Sequence, residues 1–348
     1  MSVTDVRAAP SNVAPLRRSA ALRLIWIVVL VVVIVALCAA SVAFGVRAVS
    51  MHDILAGLGG DTSTVARAAV VARVPRTVLA LLVGAALAMS GTTMQAVTRN
   101  PLADPGILGV SSGAALAVVI GIAFFGMSSP YTYLVVAIAG AAVAAVFVYL
   151  IGSLGGGGAS PLKLALAGAA ISAAFASLVS AVLLPRVDVV ESFRFWQIGG
   201  VGGATWDRIA VIAPILVVGA VVCLVMSRGM NSLALGDELA TGLGVNVLRS
   251  RLISAAGAVI LCGAATAIAG PIGFVGLVVP HICRLLVGTD HRWLLPFSAL
   301  GGGALLVMAD VVGRLVARPS EIDVGIVTAV IGAPFFIWIV RRQKVREL

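Results

Sequence analysis

The sequence is poor in charged and aromatic residues. Asp, Glu, Lys and Arg make up 11% of its 348 residues and aromatic residues 5%, whereas 61% are hydrophobic. The mean hydropathy is +1.14. A soluble domain carries about 25% charged residues, so this composition excludes one. At about 20 apolar residues per helical crossing, we expect an all-α integral membrane protein of about ten transmembrane helices.

Motifs for nucleotide hydrolysis, metal catalysis and covalent catalysis are missing. There is no G-x-x-x-x-G-K-[ST], no H-E-x-x-H and no nucleophile elbow, and the four cysteines form no Cys-x-x-Cys pair. The net charge of +10 is spread over the ends of the apolar runs without an aromatic-interleaved patch, so nucleic acid is not an expected partner. We expect a chain that is not an enzyme and binds no cofactor itself.

Long runs with little or no charge divide the chain into candidate spans. One uncharged run, 252–283, is too long for a single crossing, and Gly270-Pro271 divides it because proline lacks a helical N–H. A single domain over 22–341 would lie between a tail at 1–21 and a tail at 342–348. The predicted spans are 24–46, 78–97, 107–127, 131–154, 164–184, 209–227, 252–270, 272–288, 294–313 and 324–340.

The distribution of basic residues predicts the orientation. With ten spans both termini lie on one side, and a cytoplasmic N-terminus puts most of the Lys and Arg residues in cytoplasmic segments. Of the acidic residues, only Asp310 approaches a predicted span. Ion-driven carriers need acids or histidines near the middle of the membrane. This disfavours an ion-coupled secondary carrier, which stays an alternative, as does a membrane enzyme or assembly factor.

The stretch ARVPRT at 72–77 carries two arginines predicted to face outward. Proline suits the first turn of a helix, so Pro75 would place Arg76 at the N-terminus of the second span. A cation there opposes the helix dipole. Arg73 and Arg76 are therefore candidates for function, with snorkelling to lipid phosphate as the alternative.

The longest predicted cytoplasmic connection, 231–247, has an amphipathic pattern. Leu235, Leu239 and Leu243 recur every four residues and would form one apolar face of a short helix. Asp237 and Glu238 lie near its start, and acids argue against adsorption to an anionic inner leaflet. We interpret the segment as a site for a cytoplasmic partner, with an interfacial helix as the alternative.

Several long blocks, in a consistent order, resemble the FecCD-type permeases of ABC importers for iron–siderophore, haem and cobalamin. The blocks are RVPRTVLALLVGAALAMSGTTMQAVTRNPLADPGILGVSSGA (73–114), FWQIGGVGGATW (195–206), ALGDELATGLGV (234–245), GPIGFVGLVVPHICRLLVGTDHRWLLP (270–296) and GAPFFIWIVRR (332–342). The resemblance implies a type II ABC importer permease in the cytoplasmic (inner) membrane. Its cargo would be a ferric siderophore or related iron chelate, with haem or cobalamin as alternatives.

The resemblance also implies partners and sites. A second permease subunit, identical or paralogous, would share the pathway, two cytoplasmic ATPase subunits would bind ATP, and a periplasmic or lipid-anchored binding protein would deliver the cargo. Implied binding-protein docking residues are Arg73, Arg76 and Arg314. Implied ATPase coupling residues are Leu235, Gly236, Asp237, Glu238, Leu239, Leu243 and Gly244. Implied cytoplasmic gate residues are Asn100, Leu102, Ser160 and Pro161.

Overall fold

The computed structural model of the protein describes residues 20–154 and 161–344. Across these two ranges the chain forms α-helices and one 3₁₀ turn at Pro105–Leu108, with no strand. The helices are α1 (Ala20–Ala43), α2 (Met51–Leu58), α3 (Val65–Thr98), α4 (Val110–Phe125), α5 (Pro130–Ser153), α6 (Pro161–Leu183), α7 (Val187–Ile198), α8 (Trp206–Val225), α9 (Ser227–Leu233), α10 (Asp237–Gly242), α11 (Val247–Ala269), α12 (Val275–Val287), α13 (His291–Val316) and α14 (Val324–Lys344).

Every predicted span falls on a helix. Seven helices in the described ranges are long and apolar enough to cross a membrane, namely α1, α3, α5, α6, α8, α11 and α13. The other three predicted spans correspond to the shorter apolar helices α4, α12 and the first part of α14. The all-helical membrane fold is confirmed, whereas the count of ten crossings and the side of each terminus stay predictions.

The division of the long uncharged run at Gly270-Pro271 is confirmed. Helix α11 ends at Ala269, and Gly270 adopts a positive φ of 72°, which a residue with a side chain rarely adopts. A Cβ on Gly270 would also lie 2.1 Å from the carbonyl oxygen of Trp196, so the backbones touch there. The chain resumes as α12 at Val275, directly after Phe274.

The predicted start of the second span was wrong. Helix α3 begins at Val65, and the Thr64 hydroxyl caps it by accepting a hydrogen bond from the Arg67 N–H at 3.3 Å. Pro75 therefore lies inside the helix, and Arg76 is several turns from the N-terminus. Because the dipole effect fades within the first turn, the expected penalty on Arg76 does not apply.

Small residues let the central helices approach closely. A Cβ on Gly84 of α3 would lie 2.2 Å from the carbonyl oxygen of Gly302 on α13. A Cβ on Gly91 would lie 2.0 Å from the carbonyl oxygen of Gly276 on α12. Backbone contacts of this kind stabilise helix packing in lipid, where apolar side chains gain little by contacting each other. Helix α3 therefore forms the centre of the bundle.

Two ends of the bundle carry the candidate site residues. The first half of α3, the end of α13 and the connection 317–323 meet at what we call the outer end, which is predicted to face outward. The C-terminus of α3, helices α9 and α10 and the start of α11 meet at the cytoplasmic end, named from the same prediction. At about 1.5 Å per residue, α3 is about 50 Å long and joins the two ends.

Candidate functional site

The outer end contains a buried carboxylate shared by two of the predicted docking arginines. Asp310 on α13 is 1% exposed, and its Oδ1 accepts from Arg76 Nε at 2.9 Å and lies 2.7 Å from Nη2. Its Oδ2 lies 2.8 Å from Nη2 of Arg314, one helical turn further along α13. Charges removed from water need such partners, so Asp310 fixes both guanidinium groups.

The other contacts of these arginines explain their position. Arg73 donates to the carbonyl oxygens of Val42 at 2.9 Å and Ala43 at 3.2 Å, and Arg314 donates to that of Ser41 at 3.0 Å. These carbonyls end α1, where the last turn of a helix leaves its acceptors unpaired. Arg73 and Arg314 thus bind a helix C-terminus, where the dipole favours cations, and they are 7% and 2% exposed.

Arg76 differs from the other two because one of its contacts is exposed. Its Nη1 donates to Oε2 of Glu321 at 2.7 Å, and the Glu321 side chain is 41% exposed. Glu321 belongs to the connection 317–323 between α13 and α14. An open cavity of about 410 Å³ lies beside this pair. Residues lining it include Arg47, Arg73, Arg76, Arg314 and Glu321.

The outer end carries a surplus of positive charge. Among the described residues around the Arg76–Glu321 pair and its cavity, five arginines stand against three acids, which leaves a surplus of two positive charges there. The arginines are Arg47, Arg73, Arg76, Arg314 and Arg318, and the acids are Asp310, Glu321 and Asp323. A surface with this excess attracts an acidic partner more than a basic one.

At the cytoplasmic end, the predicted coupling segment forms two short helices. Helix α9 ends at Leu233, and α10 begins at Asp237 after Gly236, whose φ is +105°. The prediction of one helix carrying all three leucines was wrong, because Gly236 breaks it after Leu235. The three leucines are nevertheless all exposed, at 56% for Leu235, 62% for Leu239 and 65% for Leu243.

The two predicted coupling acids have different environments. Oδ1 of Asp237 accepts from Arg99 Nη2 at 2.8 Å and from Arg251 Nη2 at 2.9 Å. Asp237 therefore ties α10 to the end of α3 and the start of α11. Glu238 is exposed beside it. Beyond α10, Gly244 has a φ of +78° and turns the chain towards α11.

The predicted gate residues are described in part. Arg99 ends α3 with a left-handed φ of 50°, and Oδ1 of Asn100 then accepts from the N–H of Leu102 at 2.9 Å. This side-chain turn fixes the connection before the 3₁₀ turn. Ser160 lies outside the described residues, and Pro161 is the first residue of α6. In the described ranges no group of three His, Cys, Asp or Glu residues could hold a metal ion.

A family model described as the FecCD transport family matches residues 29–342. The chain belongs to the FecCD transport family. The resemblance inferred from the sequence blocks is therefore confirmed, and the match covers all the candidate site residues at both ends.

Three FecCD relatives have names that state their cargo. The chain is 47% identical to the ferric enterobactin transport system permease protein FepD of Escherichia coli (strain K12) over 273 residues, which is 78% of this chain and 81% of FepD. It is 40% identical to the hemin transport system permease protein HmuU of Yersinia pestis, over 78% and 82%. It is 42% identical to the cobalamin import system permease protein BtuC of Halobacterium salinarum, over 79% and 74%.

Solved structures share the fold of this FecCD chain. A metal-chelate type ABC transporter in an inward-facing conformation superimposes with a TM-score of 0.80 and 30% identity, over 92% of this chain and 99% of the other. PsaBC from Streptococcus pneumoniae in complex with Fab has a TM-score of 0.57 and 14% identity, over 83% and 94%, and shows the fold alone.

These relatives establish the class of protein. The chain is a permease subunit of an ABC importer and a multi-pass protein of the cytoplasmic membrane. It is a transport subunit, which confirms the main functional prediction over the ion-coupled carrier.

Proposed function

We propose that the chain translocates a ferric siderophore, or a related iron chelate, across the cytoplasmic membrane. The observation that carries this cargo is the 47% identity to a permease named for ferric enterobactin. A haem or cobalamin cargo is the second candidate, because relatives named for hemin and cobalamin are 40% and 42% identical. ATP hydrolysis takes place in two separate cytoplasmic subunits, and a second permease subunit completes the pathway.

The outer end is the docking surface for a cargo-binding protein in this proposal. Its surplus of positive charge suits acidic side chains on the partner, and Arg76 borders an open cavity there. Arg73 and Arg314 are buried, so their contribution is to hold the end of α1 and the shared Asp310 in place. Exposed Arg47 and Arg318, together with the partly exposed Arg76, then supply positive charge to an arriving carboxylate.

The cytoplasmic end is the coupling surface. Exposed Leu235, Leu239 and Leu243 form an apolar knob that a groove on an ATPase subunit can bury, with Gly236 and Gly244 setting the turns on either side. Asp237 links this knob to Arg99 at the end of α3. When an ATPase subunit moves this knob, the Asp237–Arg99 ion pair transmits the movement to the C-terminus of α3.

The pathway and its inner gate complete the mechanism. Helices α6 and α7 line the pathway, and the connection holding Asn100 and Leu102 narrows its cytoplasmic exit together with Ser160 and Pro161. The hydrogen bond from Leu102 N–H to Asn100 supports a defined shape for one side of this exit. Closure of the ATPase dimer opens and closes the two ends alternately, as rigid helices shift relative to each other.

Uptake by reconstituted vesicles tests the cargo and the energy source together. The chain is co-purified with its ATPase and binding protein, and vesicles loaded with ATP receive a radiolabelled ferric siderophore, haem or cobalamin. We expect ATP-dependent uptake of the siderophore alone, and none with a hydrolysis-deficient ATPase. Uptake of haem or cobalamin in place of the siderophore would show that the proposed cargo is wrong. Uptake without ATP, driven by an ion gradient, would reject the ABC mechanism.

A further inference from the structure

The two edges of the Arg76 guanidinium are bound by acids of very different exposure. Nε and Nη2 face Asp310, which is buried and shared with Arg314. Nη1 faces Glu321, on an exposed connection. Exposed ion pairs contribute little to stability, whereas breaking a buried pair is costly. Glu321 is therefore the partner of Arg76 that an incoming carboxylate can replace.

The segment carrying Glu321 is bonded to other outer elements. The N–H of Ile322 donates to the carbonyl oxygen of Gly313 at 3.1 Å, and the N–H of Gly325, at the start of α14, donates to that of Gly199 at 3.0 Å. Gly199 follows α7. The connection that carries Glu321 is therefore bonded to α13, and the start of α14, which directly follows it, is bonded to the turn after α7.

Arg76 itself lies beside that turn. A Cβ on Gly202 would lie 3.7 Å from Nη1 of Arg76, and a Cβ on Gly200 would lie 2.5 Å from Oδ1 of Asp323. The side chains of Arg76 and Asp323 thus lie against the 199–203 turn. Since α7 lines the pathway in the proposed mechanism, this turn borders its outer mouth.

We propose that Glu321 occupies, within the undocked chain, the position on Arg76 that an acidic side chain of the binding protein takes on docking. The partner carboxylate displaces Glu321 from Nη1, and the segment 317–325 is then released from α3 together with its contact to the 199–203 turn. Replacement of the Glu321 carboxylate by a carboxylate of the binding protein thus couples docking to opening of the outer mouth. This inference rests on the proposed docking function.

Affinity measurements on the complete transporter in lipid nanodiscs test the exchange. Without its internal competitor, Glu321→Gln should bind the binding protein about three- to tenfold more tightly. Asp323→Asn is the matched control, because it removes the same charge from the same segment without removing the bond to Nη1. We expect it to change the Kd by less than twofold. Arg76→Gln should weaken binding.

Three results would overturn the exchange. An unchanged Kd for Glu321→Gln, with normal wild-type docking, would reject it and leave the proposed function intact. If Glu321→Gln and Asp323→Asn raised the affinity for the binding protein equally, the gain would be explained by the change in overall charge. Failure of the wild-type chain to bind any binding protein would reject the docking function as well.

Hydrogen exchange gives a second readout that is independent of the partner. In the undocked transporter, Glu321→Gln should raise amide exchange in 317–326 and in 199–205 relative to the wild-type chain. Asp323→Asn should leave the 317–322 amides unchanged. Identical protection in wild-type and Glu321→Gln would show that the ion pair holds neither segment, and would reject the proposed link to the outer mouth.

Discussion

Nη2 of Arg76 lies 2.7 Å from Oδ1 of Asp310, although 234 residues separate them in sequence. The pair joins α3 to α13 at the outer end, and Arg314 binds the other oxygen of the same carboxylate. Buried Arg314 and partly buried Arg76 therefore share one buried anion.

Asp310→Asn should strongly destabilise the protein. The amide removes the carboxylate paired with Arg314 and leaves Arg76 with only its exposed partner Glu321. Removing one partner of a buried ion pair costs about 3–5 kcal/mol. Thermal unfolding in detergent should show a clear fall in Tm. The control is Glu321→Gln, whose exposed pair is worth about 0–1 kcal/mol. Equal Tm values for the two variants would contradict a central role for Asp310.

Gly84→Ala should also destabilise the protein, through sterics. The new Cβ would lie 2.2 Å from the carbonyl oxygen of Gly302, a backbone atom that moves only if α3 and α13 separate. Overpacking of this kind costs about 1–3 kcal/mol. Gly242→Ala is the matched control, because a Cβ there meets no atom within 4 Å. A Tm for Gly84→Ala equal to that of Gly242→Ala would show that the helices adjust without cost.

Much of the fold could be predicted because membrane spans have a local signal. Apolar length and composition predicted a helix at every span, and Gly270-Pro271 predicted the break between α11 and α12 because a proline lacks an N–H whatever its surroundings. The start of α3 was missed, since residues 65–77 carry Arg67, Arg73 and Arg76, which hide a helix from a search for uncharged runs.

The contacts of the site could be predicted only where they are local. Asp310 and Arg314 are four residues apart, a spacing that predicts an ion pair on a helix, and this signal was missed. The Arg76–Glu321 contact spans 245 residues and leaves no local pattern. The sequence alone indicated only the dipole of α3, the helix that contains Arg73. The guanidinium of Arg73 in fact contacts the C-terminus of α1, where the dipole favours a positive charge.

Glu238→Lys should impair coupling without affecting folding. Glu238 is exposed on α10 beside Leu239, so its reversal changes only the surface offered to the ATPase. We expect reduced co-purification of the ATPase and lower uptake, with an unchanged Tm. Asp237→Asn is the comparison, because it frees Arg99 and Arg251 and should disturb the segment itself. Full uptake by Glu238→Lys, with normal co-purification, would exclude this residue from the coupling surface.

Asp290, which caps α13, should stabilise the protein in a pH-dependent way. Its carboxylate accepts from Arg292 Nη2 at 2.8 Å and Asn231 Nδ2 at 2.7 Å. The hydrogen bonds from Arg292, ahead of that from Asn231, hold the pKa of Asp290 well below its usual range. A lowered pKa in the folded state adds stability above the unfolded value of about 3.9, and this stability is lost as the pH falls through the folded value.

Asp290→Asn should therefore lower the Tm at pH 7, and its deficit should shrink below about pH 4. Asp323→Asn is a control whose effect on stability should have the opposite pH dependence, because burial raises the pKa of Asp323. Its charged form is the disfavoured one, so the amide should be neutral or stabilising at pH 7 and lose that advantage in acid. A deficit for Asp290→Asn that stays constant from pH 7 to pH 3 would show that the amide loses a cap geometry, and not the charge that the lowered pKa reflects.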